Sequence, residues 1–230
     1  MDKNFLLVSI AFFTACLFTG STQAALFDRG GGLIYDNVLD ITWLQDASYA
    51  ETLGLGVQGS GKMNWVDADN WVSNLQIYDN VRDVTWNDWR MPATFIDKFD
   101  SVGFDETGQS SEMAYMYYVN LGFEANPSLD VNDPIPMSDN YNPFDNFQYR
   151  SYWSDTLTDL TTSARAWNLH FHFGYQNFTG ILSDELNIWA VRDGDVSPVP
   201  LPPAMLLMLS GLVLLSILRR DKKTNTDITA

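Results

Sequence analysis

The stretch AWNLHFHF, residues 166–173, alternates apolar and polar side chains without interruption. Because successive side chains of a strand point to opposite faces, this pattern predicts a half-buried β-strand. Its apolar face carries Trp167, Leu169, Phe171 and Phe173, and its polar face carries Asn168, His170 and His172. Gly174 and Gly180 flank the turn that we expect to follow.

Shorter strands and two helices surround this stretch. Residues 33–35, 40–44, 152–154 and 188–192 predict strands from their β-branched and aromatic content. Asn64 predicts the N-cap of a helix that continues to about residue 76, and Ser110 or Ser111 predicts the cap of a helix over residues 112–121. Two early helices followed by antiparallel strands predict an α+β domain.

Charge is distributed unevenly along the 230 residues, whose net charge is −16. Residues 25–197 hold 26 acidic and 8 basic side chains, which argues against nucleic acid as a partner. The same region holds all eight tryptophans, as expected of a packed domain. Its length predicts one domain, and the sequence indicates no internal repeat.

The C-terminal residues 198–223 combine a proline-rich stretch, an apolar run and a basic cluster. A helix of the 15 uncharged residues 204–218 spans roughly 22 Å, and the preceding prolines extend it toward the ~30 Å hydrocarbon core. We therefore predict a transmembrane helix over residues 202–218, with a plain tail anchor or a buried helix as the alternative. The basic cluster predicts that residues 224–230 form a cytoplasmic tail.

This order of elements resembles the PEP-CTERM sorting signal in its VPLPA-type variant, from which it differs by a doubled proline. The resemblance implies recognition by an exosortase, a membrane protease-transpeptidase. It implies an inner-membrane-anchored precursor that is later delivered to the cell surface or extracellular matrix. The motif residues are Val199, Pro200, Leu201, Pro202, Pro203, Ala204, Arg219 and Arg220.

The N-terminal residues 1–24 predict a signal peptide. Lys3 precedes an apolar run over residues 5–18, and the small residues around Ala24 predict the cleavage site. Cys16 is the only cysteine, and lipidation there is the alternative to an inert residue in a discarded peptide. Cleavage after Ala24 leaves a domain with neither disulfides nor thiolate chemistry.

A second resemblance covers residues 26–193, where six short motifs follow the order of the Lcl C-terminal domain family. They are Trp43-Leu44, Asn64-Trp65, Trp89-Arg-Met-Pro92, Tyr152-Trp-Ser154, Ala166-Trp167 and Trp189-Ala-Val-Arg192. The resemblance implies a C-type-lectin-like fold and adhesion or ligand binding, with no general catalytic role. We therefore predict a C-type-lectin-like α+β domain, with two helices and short antiparallel strands, followed by a single transmembrane helix.

Two candidate cation sites come from side-chain chemistry. Residues 126–150 predict a polar surface loop whose hard oxygen ligands suit calcium, although no EF-hand spacing is present and a solvated acidic loop is the alternative. His170 and His172 have the spacing of two metal ligands, with two exposed histidines on a strand as the alternative. The candidate calcium ligands are Asp130, Asn132, Asp133, Asp139 and Asp145.

The sequence predicts a binding protein rather than an enzyme. Arg90 and Arg192 are expected to pair with buried or half-buried acceptors, and no residue is assigned a catalytic role. We expect binding of extracellular polysaccharide through exposed aromatic side chains. The alternative is a secreted glycosidase-like hydrolase that uses two carboxylates about 5–9 Å apart in a cleft.

Overall fold

The computed structural model describes residues 26–95, 102–130, 132, 143–158 and 164–196. Ten strands in these residues form three antiparallel sheets. The first sheet has the order β1 (Leu26–Asp28), β2 (Leu33–Asp36), β3 (Ile41–Leu44), β10 (Val191–Asp193). The second pairs β4 (Ile77–Asp79) with β5 (Val84–Trp86), and the third has the order β6 (Gly103–Phe104), β9 (Tyr175–Gly180), β8 (Arg165–His170), β7 (Ser151–Leu157).

The helices are short. They are α1 (Tyr49–Thr52), α2 (Trp65–Ser73) and α3 (Glu112–Tyr115). The side chain of Asn64 accepts the N–H of Asp67 at the start of α2, and that of Ser111 accepts the N–H of Ala114 at the start of α3, so both predicted caps are confirmed. After α3 the chain widens into a π-helical turn, Met116–Asn120, where the N–H of Leu121 bonds the carbonyl of Met116 at 2.9 Å.

The predicted C-type-lectin-like α+β fold is wrong, because antiparallel sheet dominates the described residues and the helices contribute little. The second predicted helix keeps a single α-helical turn, and the β4–β5 hairpin was not predicted. None of the helices in the described ranges is long and apolar enough to cross a membrane. The predicted span over residues 202–218, like the rest of the sorting segment and the signal peptide, lies outside those ranges.

The predicted strand over residues 166–173 is correct only for its first half. Strand β8 ends at His170, and residues 171–174 form the turn into β9. Trp167 and Leu169 are buried as expected, but Asn168 on the opposite face is also buried. The strand is a central one, between β7 and β9, and core residues cover both of its faces. Leu169 belongs to a first core cluster with Trp43 and Trp189, and Ala166 belongs to a second with Trp153.

Aromatic side chains fill the first core cluster. The rings of Trp43 and Trp189 lie 4.6 Å apart, and the indole N–H of Trp189 donates to the carbonyl of Leu44 at 2.8 Å. Phe144 meets Trp189 edge to face at 4.8 Å. Because Phe144 belongs to the predicted surface loop, the C-terminal end of that loop is part of the core.

Two hairpins have nearly the same sequence, which corrects the expectation of no internal repeat. Residues 34–43, IYDNVLDITW, and residues 77–86, IYDNVRDVTW, are identical at eight of ten positions. The strand registers also match, with Tyr35 opposite Thr42 in one hairpin and Tyr78 opposite Thr85 in the other. A ten-residue repeat that occurs twice lacks the ~20–50-residue period by which repeat arrays are recognised.

The hydrogen bonds of the two hairpins match as well. In each, the first aspartate accepts two backbone N–H groups of the turn, and the tyrosine hydroxyl donates to the second aspartate. The pairs are Asp36 with Val38 and Leu39, Asp79 with Val81 and Arg82, Tyr35 with Asp40, and Tyr78 with Asp83. The same local sequence therefore forms the same turn in two different surroundings.

Only the surroundings of the hairpins differ. The first lies between β1 and β10, so its Trp43 is fully buried. The second forms a two-stranded sheet of its own in the described part of the chain, and its Tyr78 is 61% exposed. Trp86, the counterpart of Trp43, packs under the Arg192 guanidinium, which lies 4.2 Å from the ring centroid.

Candidate functional site

The second hairpin contacts the first sheet at the glycine turn between β1 and β2. Gly31 has a φ of +67° and lies against the carboxylate of Asp79. The side chain of Arg82 spans the same junction, because it pairs with Asp79 at 2.7 Å and donates to the carbonyl of Arg29 at 2.7 Å. This contact fixes the distance between the hairpins and so the width of the space beside it.

That space is an open pocket of about 250 Å³ between the glycine turn, the segment that follows β3 and the first residue of β4. Its volume lies just below the ~300–1,000 Å³ typical of small-molecule sites, so it suits one small ring rather than an extended ligand. The half-buried ring of Tyr49 supplies its aromatic wall. The lining residues are Gly31, Gly32, Leu44, Gln45, Asp46, Tyr49, Ile77 and Asp145.

The C-terminal end of the predicted surface loop, the Asp-rich residues 126–150, closes one side of the pocket. The N–H of Asp145 donates to the carbonyl of Gln45 at 2.9 Å, and the N–H of Ala47 donates back to Asp145 at 2.9 Å. The Gln45 amide nitrogen donates to the carbonyl of Pro143 at 2.8 Å. These bonds bring Asp145, a predicted calcium ligand, to residues almost one hundred positions earlier in the chain.

The two carboxylates of the pocket have different surroundings. Asp46 accepts hydrogen bonds from the N–H of Ser48, the hydroxyl of Thr52 at 2.6 Å and the amide of Asn146 at 3.0 Å. Asp145 is exposed, and its carboxylate accepts no hydrogen bond from the residues that the structure describes. Asp46 therefore holds the loop in place, whereas Asp145 remains available to a ligand.

Oxygen atoms dominate the free polar groups of the pocket. The Gln45 amide oxygen and the Tyr49 hydroxyl, like the Asp145 carboxylate, bond no other described residue. Two of these three groups can only accept hydrogen bonds. Since no described residue that lines the pocket is a lysine, arginine or histidine, the site favours ligands rich in hydrogen-bond donors.

The other predicted calcium ligands do not join Asp145 within the described ranges. Asp130 accepts both the backbone N–H and the side-chain amide of Asn132, and these bonds lower the pKa of Asp130. Asp133 and Asp139 lie outside the described residues. The residues in view contain no cluster of three histidine, cysteine, aspartate or glutamate side chains able to hold a metal. Calcium binding stays a prediction.

The histidine pair is more enclosed than expected of an exposed strand face. His172 is buried, and its backbone N–H donates to His170 Nδ1 at 3.2 Å. The His170 ring stacks on Phe173 with centroids 4.4 Å apart. Burial, with smaller contributions from His172 and Arg150, lowers the pKa of His170 to about 4. No third metal ligand joins the pair in the part of the chain described.

The prediction for Arg90 is confirmed, whereas the carboxylate that pairs with Arg192 is exposed rather than buried or half-buried. Arg90 makes a two-pronged pair with the buried Glu112 at 2.8 Å, and Arg192 pairs with Asp88 at 2.8 Å. The N–H of Asp155 donates to the carbonyl of Pro92, and burial raises the pKa of Asp155. Because Glu112 is paired with Arg90, this cluster stabilises the fold and leaves no free carboxylate pair.

A second depression, of about 340 Å³, lies beside the π-helical turn and includes Glu106, Tyr118 and Glu124 in its lining. The Tyr118 hydroxyl already donates to the carbonyl of Gly174 at 2.8 Å. Phe123 also lines this depression, but its one tyrosine hydroxyl is already bonded, whereas the Tyr49 hydroxyl bonds no other described residue.

Fold and site together define an antiparallel β domain with a small pocket whose mainly apolar lining includes one tyrosine ring and two aspartates. Comparison with known protein families, with curated proteins and with solved structures finds no match to this chain. The sequence could not have located this pocket, because its lining comes from four separate stretches of the chain. Of the repeated IYDNV motif only Ile77 reaches the lining, so the repeat would not have located the pocket either.

Proposed function

We propose that this chain is an exported, exosortase-sorted protein of the cell envelope or extracellular matrix that binds glycan without catalysis. The observation that carries the binding proposal is this pocket, whose lining includes the Tyr49 ring and the oxygen-bearing side chains of Gln45 and Asp145. An aromatic face packs on the C–H face of a sugar ring, and acceptor oxygens bond its hydroxyls. The volume of about 250 Å³ suits a single sugar ring.

Sequence elements at the two ends of the chain support the export and sorting part of the proposal. Residues 1–24 have the order of a signal peptide, and residues 198–223 have the order of a PEP-CTERM segment. The acidic region between them suits a domain that stays soluble outside the membrane and does not adhere to anionic lipid. Exosortase, membrane and extracellular polysaccharide are thus the proposed partners, and nucleic acid is not.

A hydrolase is the alternative, favoured by the presence of two aspartates, Asp46 and Asp145, in the lining of one pocket. A glycosidase needs one protonated carboxyl and one ionised carboxylate beside the scissile bond. The three donors around Asp46 occupy its carboxylate oxygens, which leaves only Asp145 to act on a substrate. The pocket therefore supports binding better than hydrolysis.

A glycan array probed with the purified full-length chain tests the binding proposal, with and without a chelator. We expect Tyr49→Ala to lose at least tenfold in affinity for the glycan bound best, because burial of an apolar side chain of this size contributes about 1.5–3 kcal/mol. Tyr78→Ala is the matched control, since Tyr78 is more exposed and does not line the pocket. Equal losses in both variants, or no bound glycan, would contradict the proposal. Loss of binding on chelation would support the calcium prediction, and release of reducing sugar would favour the hydrolase.

Cell fractionation tests the sorting proposal. Replacing Val199, Pro200 and Leu201 by alanine should leave the uncleaved chain in the inner membrane, because the sorting enzyme would lack its recognition motif. Replacing Asn64 by alanine is the control for a general folding defect, since it removes a helix cap of the domain and leaves the motif intact. Normal delivery of the motif variant would refute exosortase sorting.

A further inference from the structure

We propose that the pocket at Tyr49 selects amino sugars, and that its polymeric ligand is a polysaccharide with free amino groups. This inference rests on the proposed glycan-binding function and names the ligand class of the same site. It depends on three observations: a free carboxylate at the rim, acceptor oxygens on the wall, and no cation among the described lining residues.

The carboxylate of Asp145 is available to a positively charged ligand group. It is exposed, accepts no hydrogen bond from the described residues and is held at the pocket by two backbone bonds. A ligand ammonium group would replace water at this carboxylate and form a charge-assisted hydrogen bond, which is stronger than the bond that a sugar hydroxyl would form.

The hydrogen-bonding groups of the pocket suit a ligand that donates hydrogen bonds. The Gln45 nitrogen is committed to Pro143, so only its oxygen faces ligands, and Asp145 is also an acceptor. An ammonium group carries three donors and no acceptor, so it can donate to both the Gln45 amide oxygen and the Asp145 carboxylate. An acetylated amine presents a carbonyl oxygen, for which the pocket offers few donors.

The negative charge of the whole domain favours a cationic polymer. Residues 25–197 hold 26 acidic and 8 basic side chains, so the domain attracts a cationic polymer and repels one made of uronic acids or sulfated sugars. The two arginines at the adjoining glycine turn are already paired, Arg82 with Asp79 and Arg29 with Asp195.

The test compares binding of the full-length chain to deacetylated poly-glucosamine, acetylated poly-glucosamine, a neutral glucan and a polyuronate at pH 6. We expect the deacetylated polymer to bind at least tenfold more tightly than the acetylated one, and the polyuronate not to bind. Asp145→Asn should remove this preference while keeping the weaker binding of the neutral glucan. The control is Glu185→Gln, which removes an exposed negative charge that does not line the pocket.

The outcomes separate this inference from the function on which it rests. If neutral glucan binds through Tyr49 but the deacetylated polymer binds no better, amino-sugar selection is refuted and glycan binding stands. If no glycan binds, both are refuted. If poly-lysine competes as well as the deacetylated polymer, or if Glu185→Gln weakens binding as much as Asp145→Asn, the attraction comes from overall charge and the selective site is refuted.

Discussion

Gly31 and Asp79 approach each other so closely that a methyl group on Gly31 would lie 2.6 Å from Asp79 Oδ1. Gly31 lies in the turn between β1 and β2, and Asp79 lies in the second hairpin, so their contact sets the position of the second hairpin against that turn. Asp79 is also fully buried and paired with Arg82, so its carboxylate cannot move aside without breaking that ion pair. The pocket beside this contact depends on it.

Replacing Gly31 by alanine should therefore destabilise the domain by about 2–4 kcal/mol, from backbone strain at positive φ and from the clash with Asp79. Gly32→Ala is the matched control, because Gly32 also has a positive φ of +79° but a methyl group there meets no atom within 4 Å. Urea unfolding measures both variants. Equal losses would show that strain alone acts and that the hairpins do not need this close contact.

The buried ion pair between Arg90 and Glu112 gives a second prediction. Glu112→Gln should cost about 2–4 kcal/mol, because it leaves the Arg90 guanidinium without its buried charged partner. Asp193→Asn should cost less than about 1 kcal/mol, since Asp193 contacts the same guanidinium but is 79% exposed. A larger loss at Asp193 than at Glu112 in thermal unfolding would contradict this assignment.

His170 predicts how stability depends on pH. Burial lowers its pKa from 6.5 to about 4 in the folded chain, so the unfolded chain binds more protons between these values. The stabilisation from neutral His170 is complete above pH 6.5 and is lost as the pH falls toward 4. The difference between the two pKa values corresponds to at most about 3.4 kcal/mol, and solvent screening of the partly exposed ring reduces the expected change to on the order of 1–2 kcal/mol. His170→Gln should flatten the stability profile in this window, and an unchanged slope in the variant would refute the assignment.

The Tyr152 hydroxyl links the Asp-rich loop to the core. It accepts the N–H of Gln148 at 2.8 Å and lies 3.3 Å from the hydroxyl of Ser48. Tyr152→Phe should cost about 1–3 kcal/mol, because the Gln148 N–H loses its partner. It should also speed proteolysis near residues 143–150. Tyr78→Phe removes an exposed hydroxyl and should change stability by less than about 0.5 kcal/mol. Equal protease resistance of the Tyr152 variant and the native chain would argue against this link.

Neighbouring residues account for the parts of the fold that the sequence predicted well. Asn64 and Ser111 cap helices because their side chains reach an N–H three positions later. The strands at residues 33–36 and 41–44 follow from local apolar content and from the turn aspartate between them. Such bonds form wherever the motif occurs, as the repeated hairpin demonstrates.

Distant residues decide the parts that were predicted wrongly. The polar face of β8 is buried because core residues pack on both faces of this central strand. Alternation within one strand carries no information about those distant residues. The predicted surface loop contributes Phe144 to the core for the same reason, since its apolar contacts are with Trp189, 45 residues later.

The sequence alone determined the helix caps, the turns of the hairpins and the acidic character of the domain, because these depend on residues close together in the chain or on simple totals. Only the tertiary structure decided which copy of the repeated hairpin is buried, where the pocket lies and which carboxylate remains free. Those outcomes depend on contacts between residues such as Gly31 and Asp79 or Gln45 and Asp145. Such contacts form only when the whole chain packs to bury its apolar surface.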